Sequence, residues 1–164
     1  MKNTTTAFFL IGSNIGDRAE NLNRAADFLE KKVGQITRRS AFYETEPWGK
    51  SDQNWFFNQA VEVETSLAAV EILEKTKAIE AEMGRAFSEK NGPRIIDIDL
   101  LFFGNEHIET PELTVPHPEI QNRNFTLLPM MEIAGDFIHP TLGQPIEDLY
   151  MSSLDPLEVI LLEL

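Results

Sequence analysis

Ile95-Ile96-Asp97-Ile98-Asp99-Leu100-Leu101-Phe102-Phe103 is the strongest strand signal in the chain, an apolar run broken only by two acids one residue apart. Side chains alternate faces along a strand, so Asp97 and Asp99 point the same way while Ile96, Ile98 and Leu100 fill the opposite face. Neighbouring carboxylates repel one another and resist desolvation, so a buried pair needs something positive between its members.

Upstream, Gly92-Pro93-Arg94 leads into this strand from a polar loop over 85–93. Before the loop, Leu67, Val70, Leu73, Thr76, Ile79, Glu80 and Met83 fall at helical spacing, with Ser66 expected as the cap and Gly84 as the stop. Nearer the start, Ala7–Ile11 reads as a strand ending at Gly12-Ser13-Asn14. Asp17 then opens a helix through Leu22, Ala25, Ala26 and Leu29, which Gly34 ends. Ile36–Tyr43 is expected as one half-exposed strand, 44–54 as a long loop, and Trp55–Glu64 as a strand with Asn58 embedded in it.

Downstream of Phe103, Gly104-Asn105 is a turn signal before a short returning strand, His107-Ile108-Glu109. A helix is expected from about Asn122 to Ala134, with Leu127, Leu128, Met131 and Ile133 inward. The apolar segment 156–164 reads as an added strand or a partner contact. Helices alternate with strands, yet short turns join neighbouring strands, so the pattern predicts one α+β domain over 1–164. Its form is ferredoxin-like, a mainly antiparallel sheet with packed helices.

The 164 residues include no cysteine, which excludes thiolate metal sites, cysteine nucleophiles and disulfides and suits a reducing compartment. The polar start and the short apolar run Ala7–Ile11 supply neither a signal-peptide core nor a membrane span, so a cytoplasmic protein is expected. Lys and Arg number 14 against 27 Asp and Glu, a net charge of −13 that disfavours nucleic acid. A small anionic ligand stays open, because Arg85, Arg94 and Arg123 lie in loop-like settings where a local positive pocket can form.

A divalent cation would satisfy Asp97 and Asp99, and oxygen-only ligands suit magnesium, which keeps waters and binds substrate phosphates. The alternative is an exposed strand face with two solvated acids. Arg85 and Arg94 flank the loop before this strand, where guanidiniums would neutralise phosphate oxygens; each could equally pair with a surface acid. Neither familiar glycine-rich phosphate loop is present, and Gly12-Ser13-Asn14 reads as a strand-to-helix turn whose glycine allows close packing. Thr114, His117 and Arg123 can hydrogen-bond or neutralise a phosphate, and Phe125 offers a flat face. Thr45, Trp48, Phe56 and Asn58 flank the first long loop. Aromatics there could sandwich a flat heteroaromatic ring whose edge the Asn58 amide reads, although core packing is the default for Trp55, Phe56 and Phe57. His107 and His139 have no such company.

Ile11-Gly12-Ser13-Asn14, Phe42-Tyr43-Glu44-Thr45 with Pro47 and Gly49, Phe57-Asn58, Gly92-Pro93-Arg94 through Asp97-Ile98-Asp99-Leu100, and Leu113 to His117 with Asn122-Arg123 together resemble the 6-hydroxymethyl-7,8-dihydropterin pyrophosphokinase family. The resemblance implies transfer of pyrophosphate from ATP to the pterin hydroxymethyl group, with AMP released, in folate biosynthesis. It implies two Mg2+ ions at Asp97 and Asp99, catalytic roles for Arg85 and Arg94 beside that pair, and an ATP site of Arg85, Arg94, Leu100, Thr114, His117 and Arg123. It further implies a pterin site of Thr45, Trp48, Phe56, Asn58 and Phe125, with Glu80 a weaker candidate for the same centre. Asn91 and Phe87 stand where the family often has a tryptophan and a second arginine; Glu46, Phe56 and Pro118 also depart from its pattern. Both long loops are expected to close over the substrates, with product release limiting turnover.

The expected partners are ATP and the pterin, with the protein a monomer that binds neither nucleic acid nor membrane. Two rival readings remain, a metal-dependent nucleotide hydrolase and a non-catalytic nucleotide-binding module.

Overall fold

The computed structural model describes residues 3–49, 52–85 and 92–163. In chain order its elements are β1 (Thr5–Ser13), α1 (Arg18–Lys32), β2 (Gln35–Arg39), β3 (Tyr43–Thr45), β4 (Phe56–Thr65), α2 (Ala69–Glu82) and β5 (Asp97–Phe103). There follow β6 (Ile108–Glu109), β7 (Thr114–Val115), a 3-10 turn (Ile120–Asn122), α3 (Asn124–Ala134), α4 (Ile146–Met151) and β8 (Val159–Leu161).

The main sheet runs β5-β1-β4-β3-β8, with β2 also paired to β4, and each pairing is antiparallel. The path β1-α1-β2/β3-β4-α2-β5 is the ferredoxin-like pattern expected of the sequence. The remaining helices cover the second face, which explains why β1 is apolar on both sides instead of alternating. Ala7, Phe9 and Ile11 pack in one core cluster with Leu22, Ala26 and Leu29 of α1 and Ile72 and Ile79 of α2. Phe8 and Leu10 pack in the other with Leu127, Met130 and Ile133 of α3 and Ile146 and Leu149 of α4. Phe9 and Phe102 are among the largest fully buried side chains, and truncating either to alanine would cost about 3–5 kcal/mol.

Asp17 caps α1 as expected, its carboxylate accepting from the Glu20 amide at 3.1 Å. Ser66 does not cap α2: the helix starts at Ala69, and Glu71 accepts from the Ala68 amide at 3.0 Å. Packing against the core turns Ala69 and Ile72 inward and leaves Val70 60% exposed. On α3 the buried positions are Thr126, Leu127, Pro129, Met130, Ile133 and Ala134, and Leu128 and Met131 are only half-buried. The helix begins at Asn124 instead of about Asn122, because a 3-10 turn takes up Ile120–Asn122.

The expected strand over 36–43 is two strands. Between them Ser40 exchanges bonds with Ala60, its amide donating to the Ala60 carbonyl and its Oγ accepting from the Ala60 amide, both at 2.9 Å. β6 pairs with β7 in a separate two-stranded sheet and does not return along β5. The segment after Pro156 is an added strand: β8 pairs with β3, and the Glu46 amide donates to the Glu158 carbonyl at 3.0 Å. Among the described residues no helix is long and apolar enough to cross a membrane.

His139, given no role by the sequence, is 4% exposed and holds a turn together. Its Nδ1 accepts from the amides of Thr141 at 3.2 Å and Leu142 at 3.1 Å, and its ring meets Phe102 edge-on at 5.3 Å. Burial pulls its pKa below the ordinary histidine value, so the ring is neutral in the folded protein at neutral pH. Because the folded value is the lower one, the stability His139 confers is full above about pH 6.5 and declines as pH falls through the folded value. Urea midpoints are expected to drop between about pH 7 and pH 5, and His139→Asn to flatten that drop while costing about 1–2 kcal/mol at neutral pH. An unaltered pH slope in the variant would clear His139 as its source.

Candidate active site

Three strands meet at the C-terminal end of β1. Gly12 lies opposite Asn58 of β4 on one side and opposite Asp97 of β5 on the other. A Cβ on Gly12 would come within 2.4 Å of the Asn58 Oδ1, so the position requires glycine for closeness of approach. Asn58 is 5% exposed, and its Nδ2 donates to Thr45 Oγ1 at 2.8 Å, which fixes the amide's orientation toward the cavity. Thr45 is itself held by the pairing of β3 with β4.

One cavity is lined by Thr45, Trp48, Phe56, Asn58 and Phe125, the five residues that the family resemblance assigns to a flat ring, together with Leu10, Gly12 and Glu46. A second, open cleft of about 480 Å³ is lined by Arg85, Leu100, Thr114 and His117, and by Glu80, Lys77, Glu112 and Pro118. The two cavities share Arg94, Asp97, Asp99 and Arg123. Every site residue expected from the sequence therefore lines one of two adjoining spaces, with the aspartate pair on the wall between them. His107 and His139 lie instead in a separate hollow behind His117.

The two aspartates differ. Asp97 is bracketed by Arg94 Nη1 at 3.3 Å and Arg85 Nη1 at 3.5 Å. Asp99 has no ion pair or hydrogen bond among the described residues. Burial, then the charges of Asp97 and Glu80, raise its pKa well above the usual carboxylate range; Arg123 and Arg94 offset this only in part. A carboxylate so placed needs an added cation to stay ionised. Among the described residues no group of three or more His, Asp or Glu side chains could hold a metal by itself. Two carboxylates facing an open cleft do match the donor set of magnesium, which completes its shell with water and phosphate oxygens. The side-chain chemistry here fits that ion.

Glu80 has a positioning task. Its Oε1 accepts from Arg85 Nη1 and its Oε2 from the Ile98 amide, both at 2.8 Å. Ile98 lies between the two aspartates on an edge strand, so Glu80 satisfies an outward amide and fixes the acid pair and Arg85 together. Its own pKa is raised, chiefly by burial, with the Ile98 amide and Arg85 opposing.

The polar groups around the cleft are mostly donors. The buried Nε atoms of Arg94 and Arg123 have no acceptor among the described residues, which is costly unless an anionic ligand supplies one. His117 is held neutral by burial and then by the nearby Arg123 charge. Its Nδ1 accepts from the Glu119 amide at 3.2 Å, so the proton sits on Nε2. Arg123 lies 5.2 Å from the Trp48 ring and 5.5 Å from the Phe125 ring, and thus stacks against the aromatic slot while lining the polar cleft.

Of the departures from the family pattern, Glu46 has a structural partner, its Oε1 accepting from the Glu158 amide at 2.8 Å. Phe56 and Pro118 line the aromatic slot and the open cleft respectively. Asn91 and Phe87, and with them most of the second loop expected to close, lie outside the described residues. Sequence reasoning missed Asn14, which contacts both loop regions; its place after Gly12-Ser13 suggested only a local turn.

A sequence model of 7,8-dihydro-6-hydroxymethylpterin-pyrophosphokinase (HPPK) matches residues 8–135. Among curated relatives, a 2-amino-4-hydroxy-6-hydroxymethyldihydropteridine pyrophosphokinase of Bacillus subtilis is 46% identical over 128 residues, 77% of each chain. One of Methylorubrum extorquens is 39% identical over 153 residues, 93% of this chain and 95% of the relative. Among solved structures, wild-type Plasmodium falciparum HPPK-DHPS with pteroate aligns with a TM-score of 0.75 at 21% identity, covering 92% of this chain and 42% of that one. That likeness supports the fold; the matched family model and the two close relatives, joined to the geometry above, carry the assignment, and the chain belongs to the 7,8-dihydro-6-hydroxymethylpterin-pyrophosphokinase family.

Proposed function

We propose that the protein transfers the β,γ-diphosphate of ATP to the hydroxymethyl oxygen of 6-hydroxymethyl-7,8-dihydropterin, releasing AMP, as a step of folate biosynthesis. The observation that carries this reading is the shared wall. An aromatic slot with an oriented amide adjoins a donor-rich cleft, and Arg94, Asp97, Asp99 and Arg123 line both. A flat acceptor and a polyphosphate donor bound in these spaces would meet at the aspartate pair.

In the slot, Trp48, Phe56 and Phe125 would hold the faces of the pterin. Asn58 gives one N–H to Thr45, which leaves its oxygen and second N–H to read the ring edge. In the cleft, Arg85, Arg94 and Arg123 would bind phosphate oxygens, and the neutral His117 would donate from Nε2. The pterin oxygen attacks the β-phosphorus, the bond to the α,β-bridging oxygen breaks, and the hydroxyl proton passes to water. Asp97 and Asp99 would hold magnesium, which supplies neutralisation of the phosphate charge. The protein's own contribution is mainly to position the reactants and exclude water. This reading carries with it a cytoplasmic monomer working on small molecules.

A nucleotide hydrolase would need the cleft but not the slot, and Trp48, Phe125 and the oriented Asn58 favour the transferase. With ATP and magnesium, AMP is expected only when the hydroxymethylpterin is added; equal AMP release without it would replace the proposal with the hydrolase. Asp97→Asn and Asp99→Asn are each expected to lower kcat/KM by roughly 100-fold or more. They should differ in melting behaviour. Without ligands, Asp99→Asn should hold or raise stability by about 1 kcal/mol, because it removes the repulsion of Asp97 and Glu80 and breaks no ion pair or hydrogen bond that Asp99 makes among the described residues. Asp97→Asn should lower it by leaving Arg94 without its carboxylate partner and Arg85 with Glu80 alone. Gly12→Ala should displace the Asn58 amide and weaken pterin binding by about tenfold or more, with affinity for an ATP analogue changed far less; calorimetric titration with each ligand reads the difference.

A further inference from the structure

We infer that Asp155, on the segment between α4 and β8, is a positioning residue that caps α3 from outside the helix and thereby holds Arg123 at the wall shared by the two cavities. The inference rests on the transferase reading above. Arg123 occupies the N-cap position of α3, where the backbone is extended at φ −129° and ψ 103°, and its side chain makes no capping bond. That position ordinarily holds Ser, Thr, Asp or Asn, whose side-chain oxygen accepts from a free amide of the first turn. A guanidinium has no acceptor to offer, and its charge is unfavourable at the positive end of a helix. Asp155, 31 residues beyond Asn124, supplies both the acceptor and the negative charge: its Oδ2 accepts from the Asn124 amide at 2.9 Å.

The carboxylate is itself aimed. Its Oδ1 accepts from the Leu157 amide at 3.0 Å, and the Asp155 carbonyl accepts from Asn124 Nδ2 at 3.2 Å. Further along the same segment, the Glu158 amide donates to Glu46 Oε1 at 2.8 Å and the Glu158 carbonyl accepts from the Glu46 amide at 3.0 Å. Residues 155–158 therefore reach from Asn124, whose neighbours Arg123 and Phe125 line the aromatic slot, to Glu46, which lines it with Trp48. Among the described residues the Arg123 guanidinium has no hydrogen bond or ion pair, only the Trp48 and Phe125 rings at 5.2 and 5.5 Å. Its direction is thus set where its backbone enters α3, the point that Asp155 fixes. A capping side chain at 123 would have to fold back on the helix, whereas a cap supplied by Asp155 leaves the arginine free to face the cleft.

Asp155→Ala removes both carboxylate bonds, and Asp17→Ala, which removes the matching cap from α1, a helix that lines neither cavity, is its control. Each is expected to lower the melting temperature by about 2–4 °C. Only Asp155→Ala should lower kcat/KM for ATP, by about tenfold, with Asp17→Ala staying within about twofold of wild type. In an Arg123→Ala background the Asp155 substitution should cost no more than about twofold further, because the group it positions is gone. A second readout needs no turnover. The Arg123 Nε–H resonance, identified by its loss in Arg123→Ala, lies near the Trp48 and Phe125 rings; it is expected to move toward the free-arginine position in Asp155→Ala and to stay in place in Asp17→Ala. Asp155→Asn keeps one side-chain oxygen, should fall between wild type and Asp155→Ala in both readouts, and carries the test if Asp155→Ala fails to fold. Wild-type kcat/KM or an unmoved resonance in the Asp155 variants, an equal loss in Asp17→Ala, or the whole loss repeated on top of Arg123→Ala would overturn the inference. A wild-type protein that forms no AMP from ATP and the pterin would instead overturn the function, and the resonance would still report on Asp155.

Discussion

Where β1 passes between Asn58 and Asp97, a side chain would intrude on the Asn58 amide at 2.4 Å, so the strand carries glycine there. That missing side chain lets the two neighbouring strands present an amide and a carboxylate a short way apart, across a single backbone. From this follows the shared wall between the aromatic slot and the open cleft. Ferredoxin-like topology supplies the frame, since it places β1 in the middle of the sheet with β4 and β5 on its flanks.

Around this point the protein arranges charge in a way its overall balance conceals. The chain carries a net charge of −13, yet Arg85, Arg94 and Arg123 gather at the cleft. Three acids stand among them with different surroundings. Glu80 is bonded to Arg85 and the Ile98 amide, Asp97 is flanked by two guanidiniums, and Asp99 has no partner among the described residues. Buried unlike charges that bond one another are tolerated, whereas one without a counterpart stores a demand for a ligand. The arrangement is better described as a site awaiting charge than as an ion-pair network built for stability.

Much of this was legible in the residues. The alternation of Asp97 and Asp99 against Ile96 and Ile98 follows from strand geometry alone, and the buried faces of α1 match the spacing of Leu22, Ala25, Ala26 and Leu29. The convergence of Thr45, Trp48, Asn58 and Phe125 came through the family resemblance, because no local rule brings segments so far apart in sequence together. What local reading missed has physical causes. Ser66 was a good capping residue, but the register that packs Ile72 against the sheet starts α2 later. The strand over 36–43 broke because Ser40 bonds Ala60 through both backbone and side chain. Asn14 escaped notice because its partners are distant in sequence, and Asp99 could not be told from Asp97 without knowing where each arginine points.

The last strand has a mechanical meaning. β8 is stitched edge to edge against β3, whose Thr45 steadies the amide of Asn58. Force applied to the chain beyond Leu161 is therefore delivered in shear to the wall that holds the acceptor ring, and a tether attached there would pull on the site as directly as on the sheet.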